Sequence, residues 1–394
     1  MRGTGSLLIL LIAAVAAGVL LVVFKPDQLP RTDTQNGAAP SAEAYVEEIL
    51  RLRFKAAPVL LPVPRETWLA RVDANLSAQF GPGGLARRSR ALDLLGFREF
   101  SGQSLRQGLS ALHSIGLRGW LDAAEGALLL AEDFDETQTE DEVLLHGLLS
   151  QLLIEQISPM AIGQLSDDEW IAESALRSAI SESITAKLRE EKRESFLLPT
   201  SLVTERESLL AGLPIYLAAL GELPQERGAA RIFVETRLRT QSRTLPDLIK
   251  NPPRSTLELL GGDHSSIAPV TLPALPPDHV NQLEESLGAL QVQTLIEWME
   301  SYEQAQALAL LWRGDRYRLF ANSSGDHLIW ICRWETETAA NRASEILAKL
   351  DDDSRTPKRF ISASVDGNTT TFTNCADSET RDFLLQNPHE PRPR

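Results

Sequence analysis

Clustered positive charge is what this chain lacks most plainly. Its 39 Lys and Arg stand against 54 Asp and Glu, a formal net charge of −15 with a pI near 5.0. Phosphate binding depends on grouped basic residues that release counterions, so nucleic acid is not an expected partner. The acidity itself says only that the folded protein is soluble and repels anionic surfaces. Cysteine is almost missing: Cys332 and Cys375 are the only two, and neither lies near the N-terminus, where a bacterial lipid anchor would need one. There is no phosphate loop, no dinucleotide fingerprint and no Gly-x-Ser-x-Gly nucleophile turn, which removes the common nucleotide-dependent and serine-nucleophile chemistries. No repeat recurs at a fixed period. His113, His264, His279, His327 and His389 are scattered without metal-ligand spacing.

What is present is a chain of 394 residues, 43% of them hydrophobic, enough for one large domain or two smaller ones with real cores. From Leu7 to Phe24 it reads LLILLIAAVAAGVLLVVF, 18 apolar residues. At about 1.5 Å per residue such a helix nearly crosses a hydrocarbon layer of about 30 Å. A cleaved signal peptide usually has a shorter apolar region ending in small residues, and cutting at Ala14-Val15-Ala16 would leave VLLVVF on the mature chain. Residues 1–25 therefore read as an uncleaved transmembrane signal anchor, N-terminus inside and the bulk of the chain periplasmic or extracellular. KPDQLPRTDTQNGAAPSAE follows, so 26–41 is a flexible linker. The closing stretch 376–394, ADSETRDFLLQNPHEPRPR, has too little apolar content to pack and reads as a disordered tail.

Between these ends, helical periodicity dominates residues 42–270. AEAYVEEILRLRF, ETWLARVDANLSAQF and LARRSRALDLLGF each carry an apolar stripe, with Gly96 expected as a left-handed cap. RGWLDAAEGALLLAEDF has two short apolar runs around Ala-Ala-Glu-Gly, a β-hairpin within 118–133. EDEVLLHGLLSQLLIEQ is a helix stopped by Pro159, and Ser166-Asp167-Asp168-Glu169 is a capping box starting a helix to about Lys192. Residues 271–375 change character. DRYRLFA, HLIWICRWE, KRFISASV and TTTFTNC read as strands, with a helix from about Thr338 to Leu350. In the second strand Leu328, Trp330, Cys332 and Trp334 share one face and Ile329 and Ile331 the other, so both faces should be covered. Cys332 and Cys375 either form a disulfide or lie buried apart. Trp120, Trp170 and Trp312 belong to core packing, and Ser255-Thr256-Leu257-Glu258 reads as a second capping box.

The helix at 140–156 places one histidine, His146, in apolar surroundings. A zinc hydrolase commonly uses His-Glu-x-x-His on a helix, because positions i and i+4 stack two imidazoles on one face and the glutamate between them activates the metal-bound water. Here the five residues are His146-Gly147-Leu148-Leu149-Ser150.

Several segments in order resemble a poorly characterised bacterial family of predicted zinc metallopeptidases of the gluzincin type, whose members carry HELTHALQDQ and, on the next helix, a segment like ALVEGDAT. GWLDAAEGALLLAE matches the hairpin ahead of the family's active helix, LLHGLLSQLLIEQ that helix, and AISESITA the third-ligand segment, which puts Glu182 on the ligand glutamate. PPRSTLELL matches a PPxST segment, and WRGDRYRLF resembles a GWGGDRY segment at the start of a strand. The resemblance runs from about Tyr45 to Leu350. It implies an α+β, mainly helical fold: a zincin-like core followed by an antiparallel β-sheet/helix unit.

The departures decide the implied function. Gly147 replaces the general base and Ser150 the second histidine ligand, leaving only His146 and Glu182. A four-ligand zinc site is worth about 10 to 16 kcal/mol, so one lost ligand weakens binding by on the order of 3 kcal/mol. General-base assistance, worth about 10² to 10⁴ in rate, is gone as well. The expectation is a catalytically inactive protein without a metal cofactor, in which His146 is a core histidine hydrogen-bonded through one nitrogen, or faces Glu182 across the helix pair. In zincin-like folds an edge strand beside the active helix holds extended substrate by main-chain pairing. The resemblance thus implies that Ala127, Leu128, Leu129, Leu130 and Ala131 present such an edge to a peptide or protein partner. The competing expectation is a working zinc hydrolase that recruits Glu142, one turn before His146, together with Glu182.

Overall fold

A computed structural model describes residues 41–97, 104–115, 117–191, 200–225, 227–240, 243–350 and 358–386. The expected anchor and all of the expected linker but Ser41 lie outside the described residues. Among the described residues no helix is long and apolar enough to cross a membrane.

The first helices form where the apolar stripes placed them. In α1 (Ala42–Leu50) the Ser41 hydroxyl accepts the Ala44 N–H, and Val46 and Leu50 are buried. In α2 (Arg65–Phe80) Trp68, Val72, Leu76 and Phe80 fall four apart on one buried face. Helix α3 (Gly84–Leu95) ends at Gly96, whose φ of +116° favours glycine and where a Cβ would lie 2.8 Å from a Leu350 methyl carbon. The short α4 (Leu105–Leu112) leads to a hairpin, β2 (Gly119–Asp122) and β3 (Ala127–Ala131), paired Leu121 to Leu128.

A third strand corrects one expectation. β1 (Leu60–Val63) runs parallel to β3 on the side away from β2, giving the order β1-β3-β2. Ala127, Leu128, Leu129, Leu130 and Ala131 are therefore the central strand, with ladder partners on both sides, and present no free edge. Four residues containing Pro62 gave little strand signal, because proline has no N–H to donate to a ladder.

Helix α5 (Thr139–Ile157) is fastened to the hairpin by Arg118, whose Nε and Nη2 donate to the two Asp141 oxygens at 2.6 and 2.8 Å. Helix α6 (Asp167–Glu191) packs along α5. The expected capping box opens it: the Ser166 N–H donates to Glu169 Oε2 at 2.9 Å, and the Glu169 N–H to Ser166 Oγ at 3.3 Å. Helices α7 (Thr200–Gly212), α8 (Ile215–Glu222), α9 (Ala229–Thr240), α10 (Leu245–Lys250) and α11 (Thr256–Leu259) complete the helical part. At α11 the expected second box is not formed. The buried Ser255 hydroxyl has no partner among the described residues, and Glu258 Oε1 takes the Arg254 N–H at 2.8 Å instead.

The rest of the chain builds a five-stranded antiparallel sheet from β4 (Val280–Glu285), β5 (Trp312–Asn322), β6 (Gly325–Trp334), β7 (Phe360–Asp366) and β8 (Thr369–Cys375), in the order β4-β5-β6-β8-β7. Helices α12 (Ala289–Glu297) and α13 (Tyr302–Ala309) lie between β4 and β5, α14 (Glu337–Ala348) between β6 and β7, and α15 (Ser378–Gln386) follows β8. The two-faced reading of β6 holds. Leu328, Trp330, Cys332 and Trp334 join the main core, while Ile329 and Ile331 pack with Phe320, Leu272, Cys375 and Leu384. Cys332 and Cys375 therefore sit on opposite faces of one sheet, so the disulfide alternative is corrected: both thiols are free and buried. Burial pushes the Cys375 thiol up to about 12 and that of Cys332 well above its ordinary value.

Two expected boundaries shift. The main core includes Trp68, Val72 and Leu92 together with Trp312, Trp330 and Phe372, and Ser41–Arg394 forms one unit. The change of character near residue 270 thus separates no domains. The closing stretch folds as far as Gln386, because α15 buries Thr380 and Leu384; residues 387–394 lie outside the described residues. The described fold is α+β and mainly helical, with two sheets.

Candidate functional site

Helices α5 and α6 pack against each other through two positions of the expected metal motif, Gly147 and Ser150. Gly147 is the point of contact: a Cβ there would lie 2.8 Å from Thr185 Cγ2 and 2.9 Å from Ser181 Oγ. The Gly147 carbonyl accepts two hydroxyls, Ser150 Oγ at 2.6 Å from its own helix and Ser181 Oγ at 2.9 Å from α6. Ser150 thus stands where a second imidazole would be and closes a buried hydrogen bond. Any side chain at position 147, a carboxylate included, would have to displace Thr185 and Ser181.

His146 is 4% exposed. Its Nδ1 lies 2.7 Å from the Glu142 carbonyl oxygen; since a carbonyl only accepts, Nδ1 carries the proton. The ring meets Tyr45 of α1 edge to face at 5.0 Å between centroids, and the Tyr45 hydroxyl donates to Glu191 at 2.8 Å. Glu182 is half-buried, with the Thr185 hydroxyl 3.5 Å from its Oε2. No hydrogen bond joins it to His146, so the expected His146–Glu182 pair is replaced by the local bond to Glu142. Glu142 offers that ring its backbone oxygen. Among the described residues no group of three or more His, Cys, Asp and Glu is placed to hold a metal ion, and His146, Glu142 and Glu182 are not assembled into one.

A denser polar cluster surrounds the first turn of α6, one that sequence reasoning took for a cap and little else. Arg88 of α3 donates through Nε to Asp167 at 2.7 and 2.9 Å and through Nη2 to Glu285 Oε1 at 2.7 Å. Beside it, Asp168 accepts the N–H of Thr256 at 3.0 Å and its hydroxyl, and Thr256 Oγ1 accepts the Leu290 N–H at 3.0 Å. Gly288, at φ +85°, leaves space for that carboxylate: a Cβ there would sit 2.0 Å from Asp168 Oδ1.

Asp315 of β5 accepts five donors. These are Ser286 Oγ at 3.0 Å, the N–H groups of Leu287 and Gly288 at 2.8 and 2.9 Å, and the indoles of Trp312 and Trp330 at 3.1 and 2.8 Å. The PPRST and GDRY segments singled out by resemblance meet here through Thr256 and Asp315. Burial pushes the carboxyls of Asp168 and Glu285 up to about 7, and raises those of Asp167 and Asp315 too. The adjoining cavity, between Arg88, Asp167, Trp170 and Tyr216, holds about 10 Å³, room for one water. With no space for substrate, the cluster works as a knot tying α3, α6, α11, α12, β4 and β5. One sequence signal pointed to it: Asp315 shares a strand face with Tyr317 and Leu319.

A third cluster gathers two of the scattered histidines. His327 is fully buried, and its Nδ1 accepts the Ala376 N–H at 3.3 Å. Its Nε2–H therefore donates to Asn322 Oδ1 at 3.0 Å. Asn322 Nδ2 in turn donates to His279 Nε2 at 2.9 Å, which leaves His279 Nδ1–H to donate to the Pro277 carbonyl at 2.8 Å. The His327 ring is thus held neutral. Burial lowers His327 to about 4, aided by His279 and Arg359 and opposed by Asp377 and Asp326. The unfolded histidine takes its proton near pH 6.5 and the folded one only near 4, so this group's stabilisation is complete above 6.5 and falls as pH drops toward 4. The decline is about 1.4 kcal/mol per pH unit. In urea titrations from pH 7 to 4.5, wild type should lose roughly 2 kcal/mol more than His327→Asn; parallel pH profiles would refute this.

Comparison of the sequence with protein-family models and curated proteins, and of the fold with solved structures, finds no match.

Proposed function

We propose that this chain is a membrane-anchored, extracytoplasmic and catalytically inactive relative of gluzincin-type metallopeptidases, whose zincin-like scaffold holds another polypeptide. The observation that carries this reading is the contact at Gly147. Where the family's motif has the base that activates water, this chain has a glycine in van der Waals contact with α6, its carbonyl occupied by Ser150 and Ser181. Supporting it, the hairpin lies directly ahead of α5 and is bound to it by Arg118 and Asp141, AISESITA packs on α5 through Ser181, and the PPRST and GDRY segments lie around the start of α6. The polypeptide does not join β3, both of whose edges are taken.

The test is metal and peptidase content. The full chain, purified in detergent without chelator, should hold far less than one zinc per molecule by atomic emission. It should leave a mixed peptide library uncut. One zinc per chain, lost in His146→Ala and accompanied by peptide cleavage, would overturn the proposal in favour of a hydrolase. Site-specific photo-crosslinking in cells tests the scaffold half: covalent adducts with a polypeptide support it, and their absence at every exposed strand edge argues for a protein that only fills a structural place in the envelope.

A further inference from the structure

The five-stranded sheet has two outer strands, and they are guarded differently. The register of β4 on β5 is broken between Asn281 and Leu283, and it ends in Glu284 and Glu285; irregularity and charge both discourage pairing by a further strand. β7 reads Phe-Ile-Ser-Ala-Ser-Val-Asp, with no proline, no break in register and no charge before Asp366.

Its hydrogen-bonding direction follows from the turn. β7 and β8 are joined by two residues, Gly367 at φ +56° and Asn368, with Asp366 opposite Thr369. In such a hairpin the residues flanking the turn exchange both of their main-chain bonds, and the pattern repeats every second residue. Phe360, Ser362, Ser364 and Asp366 therefore aim their main-chain groups at β8, and Ile361, Ala363 and Val365 aim theirs outward. Among the described residues no main-chain hydrogen bond from another element reaches those three. Among the described residues, three N–H and three C=O groups thus stand in a row on an edge that no other strand pairs.

We propose that this edge pairs with β7 of a second copy of the same chain, antiparallel about a twofold axis at Ala363, making one continuous sheet through both molecules. Three features favour a second copy over a foreign strand. The exposed Lys358, two residues ahead of β7, is cationic and Asp366 at the strand's end is anionic, while Arg359 between them is turned onto Asn374 and the Asp326 carbonyl of its own molecule. Antiparallel self-pairing sets Ile361 against Val365 of the second copy and brings each cationic end to the other's Asp366. The central side chains, Ser362, Ala363 and Ser364, are small enough for two copies to approach. Finally, a molecule of net charge −15 can meet its own kind only where acid is sparse, and between Phe360 and Val365 there is none. The pairing is isologous, so it closes at two. It is independent of the metal-site reading, and neither outcome of the zinc test bears on it.

Proline at 363 is the discriminating change. It removes an outward N–H and places a ring on the free edge while leaving every β7–β8 bond intact. Light scattering on the full chain in detergent should show a dimer, and Ala363→Pro should raise its dissociation constant at least about a hundredfold, with circular dichroism and urea midpoint close to wild type. Ala363→Cys should give a covalent dimer under mild oxidation, with Cys332 and Cys375, both fully buried, taking no part. A monomeric wild type, a dimer indifferent to Ala363→Pro, or failure of the cysteine variant to cross-link would each overturn the proposal. So would a monomer that pairs at β7 only with an added foreign peptide.

Discussion

Replacing Gly147 with glutamate, which would restore the missing base, is expected to break the α5–α6 crossing rather than create a hydrolase. The first atom of the new side chain would already lie 2.8 Å from the Thr185 methyl carbon and 2.9 Å from Ser181 Oγ. Both obstacles are side-chain ends, so Gly147→Ala should be survivable, at the 1 to 3 kcal/mol, roughly, of an overpacked core. Glutamate adds four heavy atoms beyond alanine's and a charge to a contact whose polar groups, the Gly147 carbonyl and the Ser150 and Ser181 hydroxyls, already satisfy one another. A carboxylate facing a carbonyl is unpaired and repelled, and it must displace Ser181 besides. The loss should be on the order of 5 kcal/mol, comparable with the whole stability of many domains. Urea unfolding of the alanine and glutamate variants should show graded loss, with glutamate near the limit of folding. A glutamate variant as stable as wild type, binding zinc through His146, would mean that the helices separate easily, and the packing account would fail.

Asp315→Ala should be as damaging, for a different reason. Asp315 is 5% exposed and is the acceptor common to two indoles, a hydroxyl and two N–H groups at the start of α12. The Gly288 N–H, at the N-cap of α12, is among the donors a helix start leaves without internal partners, the Leu287 N–H lies one residue ahead of it, and negative charge there also suits the helix dipole. Alanine removes the acceptor and leaves donors stranded where water has little access, each at about 1 to 3 kcal/mol. Because the losses overlap, the total should be about 5 kcal/mol rather than their sum. Asp315→Asn keeps one acceptor oxygen but turns an NH₂ toward other donors, so it should fall between. Tryptophan fluorescence in urea follows the change directly, since Trp312 and Trp330 report from the contact itself. An alanine variant within about 1 kcal/mol of wild type would show that the donors find other partners.

These two sites differ in how far the residues announced them. At the helix crossing Gly147 and Ser150 could be read as departures from the zinc motif, and His146 as a residue bonded through one nitrogen. The partner of that bond proved to be the carbonyl one turn back, because a histidine on a helix reaches its own backbone before it reaches a neighbour. The knot was hidden by its own cap. Ser166 and Glu169 do form the box that their spacing promised, while the two aspartates between them reach Arg88, 79 residues away, and Thr256, 88 away. Asp315 was the better clue, a charge on the apolar face of a strand.

The residues by themselves determined what depends on neighbours a few positions apart: the stripes of α1 to α3, the cap at Gly96, the hairpin, the stop near Pro159 and the two faces of β6. These follow from helix and strand periods and from which backbone angles a residue tolerates, properties that travel with a short stretch of chain. Only the tertiary structure decided which strand lies in the middle of the small sheet, that Cys332 and Cys375 face apart, that a weakly apolar closing stretch packs as α15, and that His279 and His327 share one hydrogen-bond chain. Each of those depends on register or docking between segments distant in sequence, where one step of a strand turns a side chain to the other face and where burial against a surface already formed lets a few residues such as Leu384 hold a helix that its own composition would not.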